Sequence, residues 1–218
     1  MLYFSNLSKY PGIRHFVTDR GFGEVMLNNG QKKLAKELGI ETKQVVFIKQ
    51  IHKNTVVEAK VGIPKKADAV VTHKQGLLIV VRVADCVPVL LFDPKKRIIA
   101  AVHAGWKGSV AGIVAKTVRY MEKTGSNPAD LVAGIGPSIG PCCFKVKEDV
   151  ASQFEAKYVV DGYVDLWKAN YEQLMESGVN KANIEVSGVC THCNLDKYFS
   201  YRATGEVSSF ASGIMLAV

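Results

Sequence analysis

The sequence predicts an α+β fold, a layered sandwich with mixed β-sheets. Ten short Val- and Ile-rich runs outnumber four helical stretches, six of those runs crowd between residues 45 and 103, and several are apolar on both faces, as in sheets covered on both sides. Strands and helices do not alternate regularly, which disfavours a doubly wound fold.

In chain order, helical spacing predicts a helix over 31–38, closed by Gly39, a usual C-cap residue. Strands follow over 45–49, 55–61, 68–72, 77–83, 87–92 and 98–103. A long helix is expected over 106–123, with Val110, Ile113, Val114, Thr117, Val118 and Met121 on one stripe and Gly125 beyond its end. A strand over 131–135, helices over 146–157 and 165–177, the second stopped by Gly178, and strands over 184–189, 199–202 and 209–216 complete the chain. No repeat, low-complexity stretch or linker interrupts it, so residues 1–218 read as a single domain.

Composition narrows the function classes. Apolar residues make up 48% and charged residues 22%, an ordinary globular balance that excludes a disordered chain. The net charge of +8 favours anionic partners. Lysines and arginines are scattered, clustering only at Lys65-Lys66 and Lys95-Lys96-Arg97, and no nucleic-acid motif is present. The reading is therefore a basic, solvated surface suited to phosphate or phosphorylated metabolites, with no nucleic-acid partner. Residues 1–10 lack the pattern of a signal peptide, and the longest apolar runs are far too short to span a bilayer. A cytoplasmic protein with no membrane partner is expected, its five cysteines reduced; an odd count also argues against a disulfide framework.

Three residues able to bind a soft or borderline metal lie at the ends of predicted strands: His52, Cys86 and His103. They are far apart in sequence, unlike the short paired spacings of a structural zinc finger. Two imidazoles and a thiolate would give Zn²⁺ three protein ligands and leave a fourth position for water or substrate. Asp85, beside the thiolate, is a candidate to orient a ligand or accept a proton. Residue types and spacing alone leave packed core side chains as the alternative. Cys86 and His103 also suit the nucleophile and base of a metal-free cysteine hydrolase or deamidase, although His52 is then unexplained.

The blocks around these residues resemble a known family. They are Gln50-Ile51-His52, Asp68-Ala69-Val70-Val71-Thr72, Ala84-Asp85-Cys86-Val87-Pro88, His103-Ala104-Gly105-Trp106-Lys107-Gly108, the segment from Gly134 to Cys143, Cys190-Thr191 and Phe199-Ser200-Tyr201-Arg202. Together, in this order, they are similar to the laccase-domain proteins, also called the multicopper polyphenol oxidase or purine nucleoside phosphorylase family. The resemblance implies an αββα sandwich and a zinc ion on His52, Cys86 and His103. It implies phosphorolysis of adenosine, inosine and 5′-methylthioadenosine, and hydrolytic deamination of adenosine. The older family name implies copper-dependent phenol oxidation. Five histidines without a His-x-His pair do not suit a multicopper cluster, although one His₂Cys site can take copper.

The chain departs from the family pattern in places. Thr18-Asp19-Arg20-Gly21-Phe22-Gly23 replaces a Thr-Arg followed by a Gly-Gly pair, Lys107 replaces an arginine, Ala203 a second arginine, and Ser208-Ser209 a Gly-Arg pair. Substrate preference is what these changes bear on. Candidate substrate or phosphate contacts are Arg20, Gln50, Arg82, Lys107 and Arg202. Lys107 lies in Gly105-Trp106-Lys107-Gly108-Ser109 at the start of the 106–123 helix, whose free N–H groups favour an anion; an ordinary strand-to-helix turn is the alternative. Cys142 and Cys143 read as packed thiols. Cys190 and Cys193 have Cys-x-x-Cys spacing, the mark of a second zinc site or a redox dithiol, but only one such pair exists.

Overall fold

A computed structural model describes residues 1–62 and 65–217, without the side chains of Leu27 and Asn28. In chain order its first half contains α1 (Ser5–Ser8), β1 (Ile13–Val17), α2 (Leu27–Leu38), β2 (Val45–Phe47), β3 (Val56–Glu58), β4 (Ala69–Thr72), β5 (Leu78–Val83), β6 (Val87–Asp93) and β7 (Ile98–Ala104). Then come α3 (Trp106–Val110), α4 (Ile113–Lys123), β8 (Val132–Ile135), α5 (Glu148–Ala151), β9 (Val159–Val160) and β10 (Tyr163–Val164). The chain ends with α6 (Leu166–Glu176), β11 (Ile184–Val186), α7 (Tyr201–Thr204) and β12 (Phe210–Leu216).

Both main sheets are mixed. The smaller runs β1-β12-β5-β2, with β2 parallel to β5 and the other pairs antiparallel. The larger runs β11-β8-β6-β7-β4-β3, parallel only at its two outer pairs. Strands β9 and β10 form a separate hairpin.

Alternation along the strands builds the layers. Ile79, Val81 and Val83 of β5 meet Leu90, Phe92, Ile99 and Ala101 of β6 and β7, forming the core between the sheets. The opposite face of β5, Leu78 and Val80, lies under Leu34 and Ala35 of α2. Val89 and Leu91, with Ala100 and Val102, turn outward onto Ile113, Val114, Val118 and Met121 of α4. Both faces of both sheets are thus covered, which is why their strands read as continuous apolar runs. The order is helix, sheet, sheet, helix: the expected αββα sandwich.

The strand predictions over 45–49 through 98–103 match β2 to β7 within a few residues. Four expectations are corrected. The 106–123 helix is two helices, because Gly112 adopts φ 70°, a left-handed conformation that no helix interior contains, and Val110 of the supposed stripe is 40% exposed. The 146–157 helix shrinks to α5, because the chain leaves the helical conformation after it and Glu155 is extended at φ −61° and ψ 143°. The 199–202 strand is the start of α7, where the Ser200 side chain accepts from the N–H of Ala203 and caps the helix. Finally, β1, the β9–β10 hairpin and α1 were not anticipated. Helix α1 docks on β8 where Gly134 leaves room; a Cβ there would stand 2.6 Å from the Phe4 ring.

Leu90 is fully buried between the sheets. Leu90→Ala is expected to cost ~2–5 kcal/mol, through lost burial and a cavity. Val110→Ala, beyond the helix break, should stay within ~0.5 kcal/mol. Urea denaturation followed by circular dichroism compares them; equal costs would restore the single continuous helix.

Candidate metal centre

Three strand ends meet at one end of the sandwich. Antiparallel pairing sets Val87 opposite Ala104 and Pro88 opposite His103, so Cys86, just before β6, lies beside the end of β7. Strand β4 flanks β7 on its other side with Ala69 opposite Val102, and Asp68 immediately precedes it. His52 arrives on the loop after β2. The ligand atoms of His52, Cys86 and His103 all lie within 4.8 Å of one another, and the two imidazoles stand edge to face with centroids 4.8 Å apart.

Asp68 organises this cluster. Its fully buried carboxylate accepts through Oδ1 from His103 Nδ1 at 2.9 Å, from the His52 N–H at 2.9 Å and from the Ile51 N–H at 3.2 Å. Oδ2 accepts from the Lys53 N–H at 2.8 Å. Two consequences follow. With the proton on Nδ1, His103 keeps its Nε2 lone pair for an ion, the carboxylate–histidine arrangement that orients metal ligands. The three successive N–H groups wrap residues 51–53 around one anion, which holds His52 at φ 55°, an uncommon conformation for a residue other than glycine.

Electrostatics fit the same picture. Burial alone would raise the Asp68 pKa; the His103 bond and the Lys53 and His52 N–H groups outweigh it and hold it below its ordinary value. Burial also opposes the Cys86 thiolate, but the charge and hydrogen bonding of His103, with those of His52, pull the thiol down to about 6. Burial likewise opposes the His103 imidazolium, and the Cys86 thiolate and Asp68 overcome it and raise the pKa to about 9. Without an ion, Cys86 and His103 form a thiolate–imidazolium pair. Gly105 keeps the adjacent space clear: a Cβ there would lie 3.0 Å from Cys86 Sγ and 3.4 Å from the His52 ring. Two imidazoles, one thiolate and open space beside them suit a metal ion with a free coordination position.

A cleft with two lobes opens onto the cluster. The smaller, about 230 Å³, sets Gln50, Arg82, Ser208 and Ser209 beside His52 and Cys86. The larger, about 510 Å³, is walled by Trp106, Ile139, Phe144 and Tyr201, with Arg202 at its edge. Arg82 is half-buried, its Nε has no partner, and burial lowers its pKa. It is a desolvated cation facing a cavity.

The other sequence candidates divide. The Gln50 amide is spent on the main chain of Arg82, donating to its carbonyl at 2.7 Å and accepting from its N–H at 2.9 Å. Both Asp85 oxygens are engaged, one by the Thr191 hydroxyl and one by the Arg202 N–H, each at 2.7 Å, so this carboxylate braces the cleft wall. Arg202 donates to the Lys145 carbonyl and lies over the Phe144 ring. Arg20 stacks on Phe199 and Lys107 on Trp106, and neither lines the two lobes. Asp68 was missed; its signal was an acid opening an otherwise apolar strand. Phe144 and Tyr201 were not singled out either. Cys143 is partly buried and packs against the outer core, as expected, whereas Cys142 is exposed; both converge with Cys190 and Cys193.

Comparison with known proteins agrees with the geometry. Residues 23–217 match the family described as multi-copper polyphenol oxidoreductase laccase. The chain belongs to that family. It is 32% identical to a purine nucleoside phosphorylase of Bacteroides thetaiotaomicron, over 99% of this chain and 96% of that one. It is 33% identical to an adenosine deaminase of an unknown prokaryotic organism, over 79% of this chain and 74% of that one. The crystal structure of the Bacillus licheniformis hypothetical protein YfiH superposes with TM-score 0.86 at 28% identity, over 94% of this chain and 92% of that one. Among the described residues, His52–Cys86–His103 is the one cluster of metal-ligand type that contains imidazole. Of the other histidines, buried His15 accepts the Phe4 N–H at 2.9 Å on the far side of the smaller sheet's β1 edge. No helix among the described residues is long and apolar enough to cross a membrane.

Asp68→Asn keeps the shape but puts an NH₂ group where a carboxylate oxygen accepts an N–H. It is expected to weaken metal binding ~10–100-fold, measured by competition with a chromogenic chelator. In chelator-treated protein, alkylation of Cys86 by iodoacetamide, followed by peptide mass spectrometry, should stay fast at pH 7 and fall only below a midpoint of about 6. A midpoint near the ordinary ~8.5 for a free thiol would contradict the pairing with His103.

Proposed function

We propose that this protein is a zinc-dependent purine nucleoside enzyme. It cleaves adenosine, inosine and 5′-methylthioadenosine with phosphate and hydrolytically deaminates adenosine. One observation carries the reading: an open two-imidazole, one-thiolate site at the junction of an arginine-bearing lobe and an aromatic lobe. The names of the similar phosphorylase and deaminase support it.

Each part has a task. Trp106, Phe144 and Tyr201 offer flat apolar surface to the purine ring. Arg82, held by Gln50 and short of a partner, offers its guanidinium to phosphate. Phosphate so placed attacks the ribose C1′ and the bond to the purine nitrogen breaks. His52, Cys86 and His103 hold the zinc, and Asp68 fixes both the His103 tautomer and the His52 backbone. When bound, the ion supplies a Lewis acid that lowers the pKa of a water from ~15.7 towards ~7, the chemistry that hydrolytic loss of ammonia requires. Ser208, which lines both lobes, is among the departures from the family pattern, so the preference among nucleosides is set in part there.

A second reading has one observation behind it. The thiolate–imidazolium pair of Cys86 and His103 is also the resting state of a cysteine hydrolase that uses no metal. It leaves His52 without a role, and chelation separates the two: the zinc reading requires loss of activity and its return with added zinc.

The deciding experiment incubates the protein with adenosine, inosine or 5′-methylthioadenosine, with and without phosphate, and resolves the products by chromatography. Free base should appear only with phosphate, and inosine from adenosine without it. Cys86→Ala should lose both; unchanged turnover in that variant would sink the assignment. Arg82→Ala should lower phosphorolysis about 10–100-fold, the worth of a charged hydrogen bond, through the KM for phosphate, and spare deamination.

A further inference from the structure

Away from the cleft mouth, four cysteines from two distant stretches converge. Cys142 and Cys143 sit in a turn after β8, and Cys190 and Cys193 in a turn after β11. Their sulfurs all lie within 4.8 Å of one another, with Cys142 and Cys143 Sγ 3.7 and 3.4 Å from Cys193 Sγ. Cys190 belongs to the outer core and Cys143 packs against it, but Cys142 and Cys193 are exposed, so packing does not account for bringing these two to the others.

The spacing is that of a coordination sphere. Four thiolates around one zinc at about 2.3 Å form a tetrahedron with edges of about 3.8 Å. The two short separations come close to that value, and 4.8 Å bounds the rest. A disulfide needs about 2.05 Å and would use only two of the four. A multi-iron cluster would hold its thiolates farther apart than this. The Cys190 sulfur also accepts the N–H of Gly140 at 3.2 Å, the kind of backbone donor that orients a ligating sulfur.

We propose that Cys142, Cys143, Cys190 and Cys193 bind a second zinc ion in a closed, structural tetrathiolate site. Four protein ligands leave no position for substrate, so this ion does no chemistry. It staples two loops. They already touch main chain to main chain, where the Thr191 N–H donates to the Ser138 carbonyl and the Ser138 N–H to Val189. The first loop carries Ile139 and Phe144 to the larger lobe, and the second carries Thr191 to the Asp85 carboxylate. The ion therefore braces one wall of the cleft, and its binding free energy adds to the stability of that wall.

The test counts metal in the full-length protein, produced with zinc and purified without chelator. Wild type should hold about two zinc per chain, one for each ligand cluster. Cys193→Ser and Cys142→Ser should each hold one, and Cys86→Ala should also hold one, so failure here is distinct from failure of the cleft assignment. Cobalt-loaded wild type should show strong thiolate-to-metal charge transfer that Cys86→Ala largely retains and that Cys193→Ser reduces to the weaker contribution of the single Cys86 thiolate. This readout on wild type and Cys86→Ala stands even if a cluster variant does not fold. Removing the second ion should lower the Tm. Wild type with one zinc that vanishes in Cys86→Ala would overturn the proposal. So would zinc-loaded protein whose intact mass shows two hydrogens lost to a disulfide within this cluster.

Discussion

A single buried carboxylate sets the terms for the functional end of this molecule. Burying an ionised carboxylate costs several kcal/mol unless every lone pair finds a donor. Asp68 meets that demand with the N–H groups of Ile51, His52 and Lys53 and the imidazole of His103. Satisfying the charge and building the site are the same act. The loop must curl so that three N–H groups point inward, which places His52 in a left-handed conformation, and the imidazole must present Nδ1, which turns Nε2 outward. Two of the three ligand positions therefore answer to one acid that is not itself a ligand.

The sheets explain why residues so far apart in sequence meet. Antiparallel neighbours bring the start of one strand beside the end of the next, and β4, β6 and β7 are neighbours of this kind. Asp68, Cys86 and His103 each occupy such a position at one end of the larger sheet. His103 shares its strand parity with Ile99 and Ala101, so its ring points into the space between the sheets. The candidate metal centre closes the end of the inter-sheet core, and its side chains inherit the rigidity of that packing. The facing wall is different in kind, made of loops and the one-turn helix α7, and holds its shape through Asp85, Thr191 and the Arg202 N–H.

This contrast also marks how much the sequence could reveal. Strands covered on both faces announce themselves as apolar runs, so β2 to β7 and a layered sandwich of mixed sheets were legible from pattern, while the αββα order came from the family resemblance. The three candidate ligands were visible as residue types at strand ends, the matching blocks around them gave them weight, and the structure brings them together. Long-range bonds from side chain to main chain have no periodicity. Asp68 thus looked like the first residue of a strand, Asp85 like a free acid and Gln50 like a substrate contact, when Asp68 and Gln50 spend their side chains largely on backbone and Asp85 divides its own between the Arg202 N–H and the Thr191 hydroxyl. The break at Gly112 was hidden because the apolar stripe resumes in nearly the same phase after it. The aromatic run at Phe199 imitated a strand until the capping role of Ser200 decided otherwise.

The family's oxidase label and its phosphorylase label ask different things of a protein, and the side chains here favour the second. Multicopper electron transfer needs many imidazoles gathered around several ions, whereas His15 is committed to the Phe4 N–H and His73 lines a separate cavity beside Lys96 and Tyr120. What does gather at the cleft is one candidate site for an ion, a guanidinium whose Nε has no hydrogen-bond partner, and an aromatic pocket. On the proposed reading that set would hold a phosphate and a flat heterocycle across a bond to be cleaved. A one-electron step would make no use of Arg82 or of the larger lobe, and both are built into the wall around Cys86.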